Sequence, residues 1–365
     1  YSDVATVLRS NDYSRDIEKS AKPVDDPIRK RMRERRRDAS KSILNLDPPD
    51  HTRLRRLVSK AFTPSAIEML RPMVQHYVDE ALQSADLRVR NGGTFELIDD
   101  VAFPVPFLVI SAMLGMPIER AEELRDWSQV ITRTLEPTVG MDDIEQADAA
   151  FAQLLPFLDE VIAERRTNLG SDMLSSLISA EESGDKLTAE ELVTFVVLLY
   201  IAGHETTVNL IGNSMLALLR APDELAYARQ HGLSPNAIDE LLRFDGPVQH
   251  TVRVPVVPVQ FQVGDRTIEV APGERVLTSL GAASHDPSVF DNPHRLDLRR
   301  SNANKHLGFA AGTHYCLGFA LAKLEAQVAI ESLLQHYAHI ELADEPIWRD
   351  RLTIRGVDRL ALAVA

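Results

Sequence analysis

Cys316 is the only cysteine in the 365-residue chain. It stands in Phe309-Ala310-Ala311-Gly312-Thr313-His314-Tyr315-Cys316-Leu317-Gly318, which runs into Phe319-Ala320-Leu321-Ala322-Lys323-Leu324-Glu325, a good helix former. A lone cysteine is in most proteins a small buried apolar residue. This one is expected at a helix N-terminus, where unpaired N–H groups and the positive end of the helix dipole favour the thiolate, the species that ligates metal. Gly312 suits a tight turn with φ > 0, and Gly318 leaves space for a flat ring to approach the backbone. The rival chemistry is a cysteine nucleophile paired with a histidine, as in thiol hydrolases. His314 is close in sequence, but no orienting carboxylate accompanies it.

Three further groups of residues have spacings that suit chemistry. Ala202-Gly203-His204-Glu205-Thr206-Thr207 interrupts a helical pattern with a Gly, which costs about 1 kcal/mol relative to Ala, and with two β-branched residues. The segment is either a kink that accommodates packing or a deliberate opening. In the second case the Thr206 hydroxyl bonds the Ala202 carbonyl one turn earlier and loosens the helix, while Ala202 and Gly203 leave room above a bound ring. Glu240 and Arg243, three apart, form an ion pair too common to mean anything alone. His51 and Arg55, four apart, share a helix face that can hold a carboxylate or simply meet solvent.

Taken together, these segments resemble the cytochrome P450 family. Phe309, Gly312, His314, Cys316 and Gly318 match its haem-binding signature, with Ala310 where members usually have Gly. Ala202-Gly203-His204-Glu205-Thr206 looks like its oxygen-binding motif, and Glu240-Leu241-Leu242-Arg243 like its Glu-x-x-Arg pair. The matches keep the family's order from residue 47 to residue 318, and the likeness, closest to soluble bacterial members, covers nearly the whole chain.

The resemblance implies a mainly α fold with small β-sheets, a single domain over 1–365, with the family's first helix and opening strands missing from the start. It implies haem b, with Cys316 as the metal ligand and Ala202, Gly203, Phe309, Gly312 and Gly318 around the cofactor. His51, Arg55, Arg253 and His314 become donors to the haem propionates. Thr206 is then the hydrogen-bond donor to bound dioxygen, Glu205 a proton relay, and His204 a neighbour. Glu240 and Arg243 join a structural network with a third charged residue from Asn292-Pro293-His294-Arg295-Leu296-Asp297, assigned to Arg295. The implied reaction inserts one oxygen atom into a small hydrophobic substrate, a steroid, fatty acid, terpenoid or polyketide. Electrons come from a ferredoxin and its reductase, since no Gly-rich nucleotide fingerprint or Cys-rich iron–sulfur pattern is present. By the same resemblance the pocket is lined by Phe195, Leu198, Leu199, Ala202, Val248 and Gln249, with the 12–46 segment and the turn near Thr353.

The elements that must position these residues follow from periodicity. Ile67, Leu70, Met73, Val74, Tyr77, Val78, Ala81 and Leu82 return to one helical face. The longest helix is expected over 189–219, started by a Thr188/Glu191 capping box and a Leu187/Leu192 staple and stopped before Pro222. At roughly 1.5 Å per residue it is on the order of 45 Å long and crosses the whole domain. Val259 to Val263 and Arg266 to Val270 around Gly264-Asp265 read as a hairpin. Helix returns at about 317–336, with short strands near 338–342 and 351–364. No linker or internal repeat divides the chain.

Composition narrows the classes. A formal net charge of -14 opposes general nucleic-acid binding. The single thiol excludes an intramolecular disulfide and multi-thiolate zinc sites, and fits a reducing, cytoplasmic setting. No run of about 18 uncharged apolar residues suggests a membrane span. Arg29 to Lys41 is a basic run in an acidic protein, a solvated face or a contact for an anionic ligand.

Overall fold

Thirty-one residues from Ala189 to Leu219 form one uninterrupted helix, with the Thr188 N–H bonded to Glu191 Oε2 at 2.8 Å and the Glu191 N–H to Thr188 Oγ1 at 3.1 Å. Both expected ends are in place, and Leu187 and Leu192 are buried as the staple requires. The computed structural model describes residues 1–21, 27–28, 30–31, 42–89, 94–182 and 187–365. Most of the basic run at 29–41, and part of the 12–46 segment, lie outside the described residues.

Helices of eight residues or more are numbered α1 Ser2–Arg9, α2 Asp50–Ser59, α3 Arg71–Val89, α4 Pro104–Leu114, α5 Ala121–Arg133, α6 Met141–Thr167, α7 Met173–Glu182, α8 Ala189–Leu219, α9 Pro222–His231, α10 Pro235–Asp245 and α11 Phe319–His336. The expected periodic stretch at 67–82 is split: a short helix, Pro64–Glu68, precedes α3. Helix α8 touches each of α4, α5, α6, α7, α9, α10 and α11. Its face from Val208 to Leu218 is buried throughout, because so many neighbours need apolar partners. By length and composition α8 is long and apolar enough to cross a bilayer, yet it is the core helix of this fold.

The sheets are small. β1 (Tyr13–Ser14), β3 (His250–Pro255) and β6 (Val276–Ser279) pair in the order β1-β3-β6. β2 (Phe95–Glu96), β10 (Ala361–Val364) and β7 (Ile340–Leu342) pair in the order β2-β10-β7. The hairpin β4 (Val259–Val263) and β5 (Arg266–Val270) has the expected register, Val263 opposite Arg266, with Gly264 at φ 58°. β8 (Ile347–Trp348) pairs with β9 (Val357–Arg359), so 351–356, the first part of a stretch expected as strand, is instead the tip of a hairpin.

Candidate active site

The Cys316 loop is closed by its own backbone: the Cys316 N–H donates to the Phe309 carbonyl at 3.0 Å. Phe309, Tyr315 and Phe319 pack around it with ring centroids 5.2 to 6.3 Å apart. The turn needs two left-handed residues, Ala310 at φ 59° and Gly312 at φ 70°. Gly312 also lies against α1, where a Cβ would come within 2.5 Å of the Leu8 carbonyl oxygen, so it serves the turn and this packing. At Gly318 a Cβ would meet nothing within 4 Å, leaving one face of the loop clear of protein.

The helix start does favour the thiolate, through the Gly318 N–H, but desolvation of the sulfur outweighs it. Helix α11 begins only at Phe319, and burial pushes the Cys316 thiol up to about 11, against the smaller pull of the Gly318 N–H and the Arg55 guanidinium. A thiolate here therefore needs a cation on the sulfur itself. Among the described residues no group of three or more His, Cys, Asp or Glu is placed to hold a metal ion. An ion at Cys316 must bring most of its own ligands, as the iron of a porphyrin does. The thiol-hydrolase alternative fails on the same facts. His314 is pushed down to about 3, first by burial and then by the charges of His51, Arg253 and Arg15, so it is a poor proton acceptor for a thiol near 11.

Those charges form the second part of the site. His51, on α2, packs against His314 with ring centroids 4.3 Å apart and the rings tilted by 53°, and its Nδ1 is buried without a partner. Arg253 is buried on β3 and depressed to about 10 by burial and by Arg15. Arg55 lies within electrostatic reach of Cys316 and is likewise lowered, chiefly by burial. Asp47 acts on both Arg253 and His314, and it already accepts from Lys19 Nζ at 2.7 Å, the Arg15 N–H at 3.0 Å and Ser14. Arginines gathered near an orphaned ring nitrogen, with Asp47 engaged elsewhere, suit a ligand bearing carboxylates. Sequence brought four of these residues together; Arg15 was missed, being an isolated arginine in a loop.

Helix α8 supplies the third part. The Thr206 hydroxyl donates to the Ala202 carbonyl at 2.9 Å, as expected, and Thr207 and Asn209 reach back to Gly203 and Glu205 in the same way. The helix nevertheless continues unbroken. Ala202 is exposed and Thr206 half-buried, although residues 207 to 218 behind them are all buried, so this short face looks into an opening. Gly203 does not share it: a Cβ there would press on Ile110 at 3.2 Å, and its role is close contact with α4. Glu205 is buried and paired through Oε1 with Arg349 and with Arg351, the latter at 3.3 Å. His204 is enclosed, with Nδ1 at 2.6 Å from the Tyr200 carbonyl and Nε2 at 3.2 Å from Ser128 Oγ, and burial lowers it. It is a neighbour only.

Below the loop, Glu240 and Arg243 are fully buried and bonded at 2.6 and 2.9 Å. Their third charged partner is Arg300, whose Nε meets Glu240 Oε2 at 3.0 Å, and not Arg295. Arg295 lends only its carbonyl, to Arg243 and Arg300. Spacing alone could not separate two arginines five residues apart on one irregular loop. A further bridge, unforeseen from sequence, ties the loop to α10: Asp239 takes His306 Nε2 at 3.3 Å and Lys323 Nζ at 2.6 Å, while His306 Nδ1 accepts the Gly308 N–H at 3.0 Å. Of the expected pocket residues, Phe195 and Leu199 are buried on α8, whereas Val248 and Gln249 line a cavity of about 270 Å³ beside Gly308 and Gly281.

A family model described as cytochrome P450 matches residues 2–231 and 233–352. Cytochrome P450 107B1 of Saccharopolyspora erythraea is 42% identical over 328 residues, 88% of this chain and 77% of that protein. Cytochrome P450 monooxygenase PikC of Streptomyces venezuelae is 38% identical over 99% of this chain and 83% of its own length. The crystal structure of P450BioI in complex with hexadec-9Z-enoic acid ligated acyl carrier protein superposes with a TM-score of 0.89 at 35% identity, covering 100% of this chain and 91% of that one. Sequence and fold thus agree, and the chain belongs to the cytochrome P450 family of haem-dependent monooxygenases.

Proposed function

We propose that this chain oxygenates a hydrophobic molecule, by hydroxylation or epoxidation, with Cys316 as haem ligand. The observation that carries this is the pairing of the lone Cys316 with the cluster of His51, Arg55, Arg253 and His314, a donor set for one metal bond and for carboxylates. Haem held through a thiolate supplies reductive activation of dioxygen, in a reaction that takes up electrons and protons and yields oxygenated product and water. The chain's residues supply the rest. Cys316 Sγ would hold the metal, Arg55, Arg253 and Arg15 would neutralise the propionates, and His51 and His314 would lend them ring N–H groups. Ala202 leaves space above the ring, and Thr206 with Glu205 handles protons. Phe195, Leu198, Leu199, Val248 and Gln249 bind the substrate, and their mostly apolar surface supports a steroid, fatty acid, terpenoid or polyketide. The fatty-acyl complex of the similar P450BioI fits that range. The electron donor is taken to be a ferredoxin with its reductase, and the setting cytoplasmic.

The test is the absorption spectrum of the reduced, carbon-monoxide-treated protein. The red-shifted thiolate band is expected in the parent and absent in Cys316→Ala; its absence from well-folded parent protein would sink the assignment of Cys316. Thr206→Ala should divert reducing equivalents to peroxide, whereas a mere haem carrier would be indifferent to it.

A further inference from the structure

The tip of the β8–β9 hairpin is held from two sides by carboxylates. The hairpin closes at its neck, where the Arg349 N–H donates to the Gly356 carbonyl at 3.0 Å. On one side is Glu136, buried in the segment joining α5 to α6. Its Oε2 accepts the N–H groups of Leu352 at 2.9 Å and Thr353 at 2.8 Å, and its Oε1 accepts that of Ile354 at 3.1 Å. The Thr353 hydroxyl returns a bond to the Leu135 carbonyl at 3.2 Å. On the other side Arg349 and Arg351 hold the Glu205 carboxylate, one residue from Thr206 on α8.

One carboxylate that receives three successive main-chain N–H groups dictates the shape of the turn, since moving it away strands the buried Ile354 N–H and frees the partly buried ones of Leu352 and Thr353. The same turn carries both guanidiniums that grip Glu205. Arg351 is itself depressed by burial and restored in part by the charges of Glu205 and Glu136, so it feels both acids. We propose that Glu136 is a positioning residue for the monooxygenase reaction: by fixing Leu352 to Ile354 it sets Arg349 and Arg351, and through them the Glu205 carboxylate beside Thr206. The segment between α5 and α6 is thereby linked through one turn to the acid that handles protons. This rests on the reading of Glu205 and Thr206 as that proton-handling pair.

The experiment compares the haem-loaded parent with Glu136→Gln, Glu205→Gln and the double variant, supplied with NADPH, ferredoxin and reductase and no organic substrate. Dioxygen consumption, the fraction recovered as peroxide and the solvent deuterium isotope effect are recorded. Hydrogen exchange at the Leu352, Thr353 and Ile354 amides is followed in the same proteins, with and without haem. Glu136→Gln should speed exchange at these amides roughly tenfold, as the loss of about one buried hydrogen bond requires. It should also shift the peroxide fraction and isotope effect in the sense of Glu205→Gln, and the double variant should be no worse than Glu205→Gln alone, because both act through one acid. Faster exchange with unchanged peroxide fraction and isotope effect makes Glu136 a structural strut only and overturns the inference. If Glu205→Gln itself changes neither quantity, the reading of Glu205 fails and the inference with it. Should Glu136→Gln fail to fold, Glu136→Asp, which keeps the charge but shortens the reach, faces the same criteria.

Discussion

At Glu240 two guanidinium groups share one carboxylate in a place water does not reach. Arg243 and Arg300 are both buried, and their remaining N–H groups are used on the carbonyls of Ser284, Asp291, Asn292, Pro293 and Arg295. A charge in such a network is costly to leave unpaired, so Arg300→Ala should destabilise the protein by about 3 to 5 kcal/mol. Arg295→Ala keeps the carbonyl that matters and should cost no more than about 0.5 kcal/mol. Urea titrations of the two variants decide between them, and equal losses would restore Arg295 to the network. The second residue-scale expectation concerns Ala310, which holds φ 59° in a loop where the family usually has Gly. An L-residue pays about 1 to 2 kcal/mol for that conformation, while Gly adds unfolded-state entropy worth about 0.4 to 1 kcal/mol. Ala310→Gly should therefore raise stability by up to about 1.6 kcal/mol, without loss of haem, as thermal unfolding monitored at the haem band would report.

At the scale of elements, the β8–β9 hairpin is fitted to α8 by the absence of a side chain. A Cβ on Gly356 would fall inside the van der Waals surface of Asn209 Oδ1, and Asn213 Nδ2 donates to the adjacent Arg355 carbonyl at 3.3 Å. Gly356→Ala should cost about 1 to 3 kcal/mol through overpacking. Part of that loss should return in Asn209→Ala/Gly356→Ala, where the clashing amide is gone; strictly additive losses would place the strain elsewhere. The elements differ in how readily sequence revealed them. Helix α8 was legible to the residue because its capping box, staple and terminal Pro222 are local signals. The β4–β5 hairpin was legible because Gly264-Asp265 sets its register. The tip at 351–356 reads as strand in the sequence because its conformation comes from Glu136, some two hundred residues earlier, and from α8.

For the whole molecule, the cationic pocket links haem binding to stability and pH. In the haem-free chain His314 sits near 3, while an unfolded His titrates near about 6.5. Between those values the unfolded chain binds the extra proton, so stability is complete above about pH 6.5 and falls as the pH drops toward 3, by up to about 1.4 kcal/mol per pH unit from this group. Carboxylates beside His314 and Arg253 would offset the charges that depress the ring, and burial alone then acts on it. Haem-loaded protein should therefore show a flatter acid limb than haem-free protein when urea midpoints are compared at several values between pH 7 and 5. Parallel limbs would place the propionates away from His314. Loading should also raise the midpoint at neutral pH, because haem binds the folded state alone.

The sequence by itself determined the chemistry on offer: one thiol in a Gly-bearing loop ahead of a helix, a Thr on the longest helix, a His/Arg pair on another, and periodicities that make the fold mainly α. These depend on residue type and on neighbours within about one turn, which sequence states directly. Tertiary structure decided what each group experiences. Desolvation raises the Cys316 thiol, Arg300 displaces Arg295 because only its guanidinium reaches Glu240, Gly203 turns to Ile110, and Glu205 is clasped by arginines from the far end of the chain. Desolvation and charge–charge contact depend on which distant segments fold together, and no local pattern records that.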